Sequence, residues 1–178
     1  MPTQFEDKFV EDICNVVFPG TTFAYRDTNL SEELISKYKK GMIIMERGFV
    51  DSSSKGGGMI SNLRYLVISS QNKDMPSLFQ DFGLCTISMA SYFKVLDIFS
   101  VNNKTQITLL HIPKESVELF DSCTISLEET ITEKARENFL SKLELEPVPE
   151  LKNDEWIERV KDPLGMDDDG NFFELVNA

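Results

Sequence analysis

Covalent chemistry in this chain has few residues to work with, because 178 residues contain one histidine and three cysteines. A cysteine nucleophile needs a base within hydrogen-bond reach and a third group to orient that base. His111 is the only imidazole, and Cys85 or Cys123 could meet it in space with Asp97 orienting the ring. Cys85, Asp97 and His111 are therefore the candidate catalytic set, belonging to a small hydrolase-like enzyme or a small-ligand-binding domain. The competing reading is a strand-end histidine in Leu109-Leu110-His111-Ile112 that bonds to backbone or faces solvent. A serine hydrolase elbow, Gly-x-Ser-x-Gly, does not occur.

Metal chemistry is not indicated. One imidazole and three scattered thiols do not make a zinc site. The run Asp167-Asp168-Asp169-Gly170-Asn171 resembles a calcium loop, yet placing Gly170 at the sixth position puts Gly165 first and Val176 twelfth, where acidic ligands are required. Ser54-Lys55-Gly56-Gly57-Gly58 places its lysine before the glycines, the reverse of a phosphate-cradling loop. Gly56, Gly57 and Gly58 are read instead as a mobile loop able to close over a ligand or partner. No cofactor and no metal are expected. Arg26, Arg47 and Arg64 could each recognise an anion, but nothing in their spacing selects one.

The charge balance points elsewhere. Thirty acidic residues against eighteen basic ones give a formal net charge of −12. Up to Met89 there are nine basic and eleven acidic residues, and beyond it nine and nineteen, so the second half carries nearly all the excess. Phosphate backbones and anionic membrane surfaces are repelled by such a chain, since both are bound by Lys and Arg that displace counterions. A basic protein is the complementary partner, with Glu128, Glu129, Glu133, Glu137, Asp167, Asp168 and Asp169 as the candidate binding residues. The leading expectation is a non-enzymatic protein-interaction domain, an adaptor or an inhibitor of the immunity type. It has no nucleic-acid or membrane partner, and its oligomeric state is left open.

No apolar run approaches the roughly 18–20 residues that cross a bilayer, and Met1–Val10 carries Glu6 and Asp7 in place of a basic start. With Cys14, Cys85 and Cys123 odd in number and each near apolar residues, the expected setting is a reducing, cytoplasmic one.

The elements that would position these groups follow from periodicity. Phe5, Phe9, Ile13 and Val16 or Val17 keep helical spacing, and Ser31 stands before Glu32-Glu33-Leu34 as the cap of a second helix. Residues 21–29 between them read as a polar connection. Met42–Val50 and Ile60–Ser70 read as two strands of a long-looped hairpin. Leu84–Met89, Tyr92–Val101 and Thr105–Ile112 form the strongest β region, with Asn102-Asn103 suited to a tight turn. Ser126-Leu127-Glu128-Glu129 opens a long helix as a capping box, Asn153 or Asp154 caps a shorter one around Trp156, and 171–176 could add an edge strand. The expectation is a single α+β domain over 1–178. Its helical N-terminal segment covers 1–41, a β-rich core of five to six mainly antiparallel strands covers 42–112, and an acidic helical C-terminal segment covers 113–178. The sheet is thus flanked by an N-terminal helix pair and C-terminal helices.

Overall fold

The computed structural model describes residues 21–75, 81–122 and 126–175. Eight strands form one mixed sheet: β1 (Thr22–Thr28), β2 (Ile43–Glu46), β3 (Val50–Ser53), β4 (Leu63–Ser69), β5 (Lys73–Asp74), β6 (Leu84–Ile87), β7 (Ser91–Val101) and β8 (Lys104–Ile112). Their order across the sheet is β2-β7-β8-β4-β1-β3-β6-β5. Every pairing is antiparallel except β4 with β8, which is parallel. The helices are short apart from one: α1 (Glu32–Lys37), α2 (Val117–Ser122), α3 (Ser126–Leu143) and α4 (Asp154–Arg159).

Burial explains the centre of the sheet. All seven residues of β4 are buried, so it needs a neighbour on each edge and cover on each face. It has β1 on one side and β8 on the other. One face, carrying Ala24, Tyr65, Val67, Phe93 and Leu109, packs against Ile35 of α1, Tyr38, Leu164 and Met166. The opposite face, carrying Tyr25, Leu66, Ile68 and Leu110, packs against Phe120 of α2 and Ala135 of α3. Phe82, Trp156 and Val160 make a smaller cluster of their own. Full burial of each Leu or Ile contributes about 1.5–3 kcal/mol, so the two large clusters dominate the cohesion of the described chain.

Local signals behave as their chemistry requires. Ser31 Oγ accepts from Leu34 N–H at 3.2 Å and caps α1, and Asn153 Oδ1 accepts from Glu155 N–H at 2.8 Å at the start of α4. Asn102 and Asn103 take φ of 50° and 61° in the tight turn between β7 and β8. A register shift between Val95 and Asp97 marks a β-bulge in β7. Leu96 packs on the α3 side, and Asp97 meets Arg136 of α3 there as well.

The expected sheet of five to six mainly antiparallel strands between an N-terminal helix pair and C-terminal helices is corrected. The sheet has eight strands, is mixed, and begins at Thr22, inside the segment expected to be a polar connection. The residues of 22–28 alternate Phe23, Tyr25 and Asp27 against Ala24, Arg26 and Thr28, a period of two that sends Ala24 and Tyr25 into the clusters on opposite faces while β3 and β4 pair the strand's edges. The expected hairpin of 42–50 with 60–70 is also replaced: the first segment breaks at Arg47-Gly48-Phe49 into β2, which pairs β7, and β3, which pairs β1 and β6. No local turn determines those pairings, because each joins distant parts of the chain. Of the expected helix pair, the helix at 5–17 lies outside the described residues and the second is α1. At the far end, the described part of the expected 171–176 strand, residues 171–175, supplies an isolated bridge between Phe172 and Met166.

Candidate functional site

A charged residue in the middle of a fully buried strand must find its partners inside the protein, since an unpaired buried charge costs several kcal/mol. Arg64 occupies that position on β4, with a side chain 1% exposed. Directly across the ladder from it on β1 stands Asp27. Arg64 Nε donates to Asp27 Oδ1 and Nη2 donates to Oδ2, both at 2.7 Å, a bidentate fork. Nη2 also donates to Gly57 O at 2.8 Å, and the guanidinium lies 5.1 Å from the centroid of the Tyr25 ring. Nη1 is buried and has no hydrogen-bond partner among the described residues. The guanidinium therefore has donor capacity in excess of what the fold uses.

Around this pair lies a cleft of about 150 Å³. Tyr25, Asp27 and Arg64 supply its sheet side. Gly57, Gly58, Ile60 and Ser61 supply one rim, and Pro147, Val148, Leu151, Lys152, Trp156, Ile157 and Lys161 the other. Trp156 is buried against Phe82, with ring centroids 5.3 Å apart, so its contribution to the wall is fixed by packing. Thr28 Oγ1 donates to Lys161 O at 3.0 Å and Arg26 Nη2 donates to Asp162 O at 2.9 Å, which ties the C-terminal rim to β1. The lining carries three cations, Arg64, Lys152 and Lys161, against the single carboxylate of Asp27, in a chain whose net charge is −12. An organic anion is the complement of such a wall.

The glycines of the 56–58 loop have a packing role here. A Cβ on Gly56 would sit 2.6 Å from the Tyr25 ring, and one on Gly57 would sit 2.8 Å from Glu146 O. A Cβ on Gly58 would collide with the backbone oxygen of Leu145. Gly58 N–H donates to Glu146 O at 3.1 Å, Gly57 O accepts from Arg64, and Lys55 Nζ donates to Asp81 O and to Glu150. Backbone thus approaches backbone across the 56–58 and 145–148 segments at a distance that only glycine allows.

Cys85, Asp97 and His111 are not brought together. Cys85 lies on β6 and His111 on β8, four strand spacings apart, or roughly 19 Å at the usual interstrand distance. The Cys85 thiol is pushed up to about 11 by burial and by the Asp74 carboxylate, whose Oδ1 is 3.5 Å from Sγ. That is the reverse of an activated thiolate. Asp97 is opposite Thr108 and is engaged by Arg136 at 2.7 and 2.8 Å. His111 pairs instead with Ser69, Nδ1 to Oγ at 2.8 Å, beside the ring of Phe93, and burial pushes it down to about 4. The imidazole is neutral at pH 7 and shares a hydrogen bond with the serine hydroxyl, while Ser69 Oγ also accepts from Gln71 N–H.

The acidic residues proposed for a partner are divided. Glu128 is buried and pairs with Lys94 Nζ at 3.1 Å, while Glu129, Glu133 and Glu137 are exposed on α3. Asp167 Oδ1 accepts from the N–H groups of Asp169 and Asn171 at 3.0 and 2.8 Å, closing a turn, with Asp168 and Asp169 exposed beside it. α3 covers one face of the sheet, whereas this turn follows Met166 on the other. Among the described residues no group of His, Cys, Asp and Glu is placed to hold a metal ion, and no helix is long and apolar enough to cross a membrane.

Sequence reasoning left Arg64 unselected among three arginines and did not link it to Asp27 or Trp156. The available signal was its position within Leu63-Arg64-Tyr65-Leu66-Val67-Ile68, a lone charge in an otherwise continuous apolar run.

No family model and no curated protein matches the sequence. Similar solved structures exist. The type III effector XopAI from Xanthomonas axonopodis pv. citri is 15% identical with a TM-score of 0.45, covering 52% of this chain and 42% of its own. The ADP-ribosyltransferase Vis, in complex with an inhibitor, is 16% identical with a TM-score of 0.46, covering 65% and 59%. The ADP-ribosyltransferase HopU1 of Pseudomonas syringae pv. Tomato DC3000 is 18% identical with a TM-score of 0.46, covering 54% and 47%. The present chain thus spans roughly half the length of these proteins. At such identities and scores the likeness transfers neither residue roles nor activity to this chain. The candidate acidic residues here are split between two faces of the sheet, and Glu128 is buried in its pair with Lys94. The expectation of a non-enzymatic adaptor or inhibitor that binds a basic partner is withdrawn on those findings. So is the hydrolase-like cleft at Cys85, Asp97 and His111, whose members stand apart.

Proposed function

We propose that this chain binds a small organic anion in the cleft bounded by Arg64, the Gly57–Gly58 rim and the segment from Pro147 to Lys161. The observation that carries the reading is the Arg64 guanidinium: buried, held by Asp27, and still with an unpartnered Nη1, in the wall of a cleft that has two further cations. A group fixed on both sides by a carboxylate and a backbone oxygen is a preorganised anchor, which lowers the ordering cost of binding. The volume of about 150 Å³ is close to that of a cavity that holds benzene, so the bound part of the ligand is small. The net charge of −12 weighs against a nucleic-acid partner, and the free buried thiol of Cys85 fits a reducing setting.

The test is calorimetric titration of the full chain with small anions bearing one ring, benzoate and phenyl phosphate first, and with NAD, which is bound in one of the similar structures. Saturable binding that weakens at least tenfold in Arg64→Met supports the reading. Absence of saturable binding by any of the three, or equal binding by the variant, removes it.

A further inference from the structure

We propose that the anion bound here is amphiphilic: a single negative head group continued by an unbranched apolar tail that leaves the cleft between Ile60 and Ile157. This rests on the anion-binding reading. The charges of the lining set only the sign of the head group. Arg64 is matched by Asp27, and Lys161 pairs with Glu158 and also faces Asp162 and Asp168, so Lys152 is left as one exposed cation. One negative charge satisfies such a wall. Discrimination among anions then falls to the apolar surface.

That surface runs from the floor of the cleft to its mouth. Tyr25 and Trp156 are buried, Val148 and Leu151 are half-buried, and Ile60 and Ile157 are 56% and 43% exposed, yet all six line the same cleft. Ile60 belongs to the rim that includes Gly57 and Gly58, and Ile157 to α4 on the other rim, so the two exposed isoleucines flank the opening from opposite sides. Single exposed apolar residues are ordinary on protein surfaces. A pair on either side of one opening, continuous with a half-buried apolar lining, is a surface for the apolar part of a ligand to cover. The volume of about 150 Å³ is filled by a group about the size of a benzene ring. Carbons beyond that number pass the mouth, where they meet Ile60 and Ile157, and the removal of both side chains from water favours the longer ligand.

Titration calorimetry of the full chain with butyrate, hexanoate, octanoate and decanoate tests the tail, and octylammonium tests the head group. Affinity is expected to rise along the series by about two- to fourfold per methylene, the upper figure being that of full burial. Octanoate should bind at least tenfold more tightly than butyrate, and octylammonium at least tenfold more weakly than octanoate. Ile60→Ser and Ile157→Ser replace exposed side chains and should keep the fold, which thermal melts check. Each is expected to cut octanoate affinity severalfold while changing butyrate affinity by less than about twofold. Saturable binding that does not depend on chain length overturns the tail and leaves anion binding intact. A length dependence that both variants leave unchanged puts the tail elsewhere and overturns the proposal. Octylammonium binding as tightly as octanoate, or saturation by none of the acids, overturns the anion reading and this inference with it.

Discussion

Asp27 faces Arg64 across the β1–β4 ladder, and each of its carboxylate oxygens takes one guanidinium nitrogen at 2.7 Å. The arginine side is 1% exposed and the aspartate side 22%. Such a pair is costly to break from one side, because the residue left behind is a buried charge without a partner. Asp27→Ala is therefore expected to lower unfolding stability by about 3 kcal/mol, near the lower end of the range for buried pairs. Replacing both residues with leucine is expected to cost less than Asp27→Ala alone, since no orphaned charge remains. Urea denaturation of Asp27→Leu, Arg64→Leu and the double leucine variant measures the coupling directly, and additive losses would show that the pair does not act as a unit.

Gly58 and Gly41 make a matched contrast. Gly41 has φ of 88° and open space where a Cβ would go, whereas Gly58 has the backbone oxygen of Leu145 there. Gly41→Ala is expected to cost about 1–2 kcal/mol, the strain of a left-handed conformation with a side chain. Gly58→Ala is expected to cost more, because a carbonyl and the whole 145–148 connector must shift, and it should also widen the cleft. Thermal melts of both variants rank the two effects. A smaller loss at Gly58 would mean that the connector moves freely.

Legibility from sequence divides along the range of the interaction involved. Ser31, Asn153 and Asn102-Asn103 act within three or four residues, and their caps and turn are found where side-chain chemistry puts them. The pairings that build the sheet are another matter. Tyr25 lies opposite Leu66 and Ser53, and Leu66 beside Thr108, across separations that no local signal encodes. The first strand reads as a connection because Thr21, Thr22, Arg26, Asp27 and Thr28 give it a polar composition. In the fold Arg26 and Thr28 are buried and bond to the carbonyls of Asp162 and Lys161. The candidate site was hidden for the same reason: Asp27, Gly57, Arg64 and Trp156 come from four segments, and only the sheet and its C-terminal cover bring them to one cleft.

Cys85 illustrates how burial silences a nucleophile. Its thiol is 4% exposed as a residue and is pushed up to about 11, first by desolvation and then by Asp74. Alkylation by iodoacetamide at pH 8 is expected to be slow at Cys85 in the native chain and to accelerate by at least tenfold in denaturing urea. Peptide-level mass spectrometry reads this residue alone. Rapid native modification at Cys85 would mean that β5 separates readily from β6.

The half-buried His111 sets a pH limit on stability whose sign follows from its surroundings. Its imidazole is pushed down to about 4 by burial, while in the unfolded chain it titrates near 6.5. Between those values the unfolded state binds the extra proton, so stability falls as pH drops from about 6.5 toward 4 and this contribution is complete below 4. The full effect is about 3 kcal/mol by linkage. His111→Asn keeps a polar side chain but cannot titrate, so the gap between wild type and variant should narrow as the pH is lowered from 7 to 4.5. Urea midpoints for both chains at those two pH values give the comparison, which cancels the carboxylates they share. A gap that stays constant would mean that the imidazole is not desolvated in the folded protein.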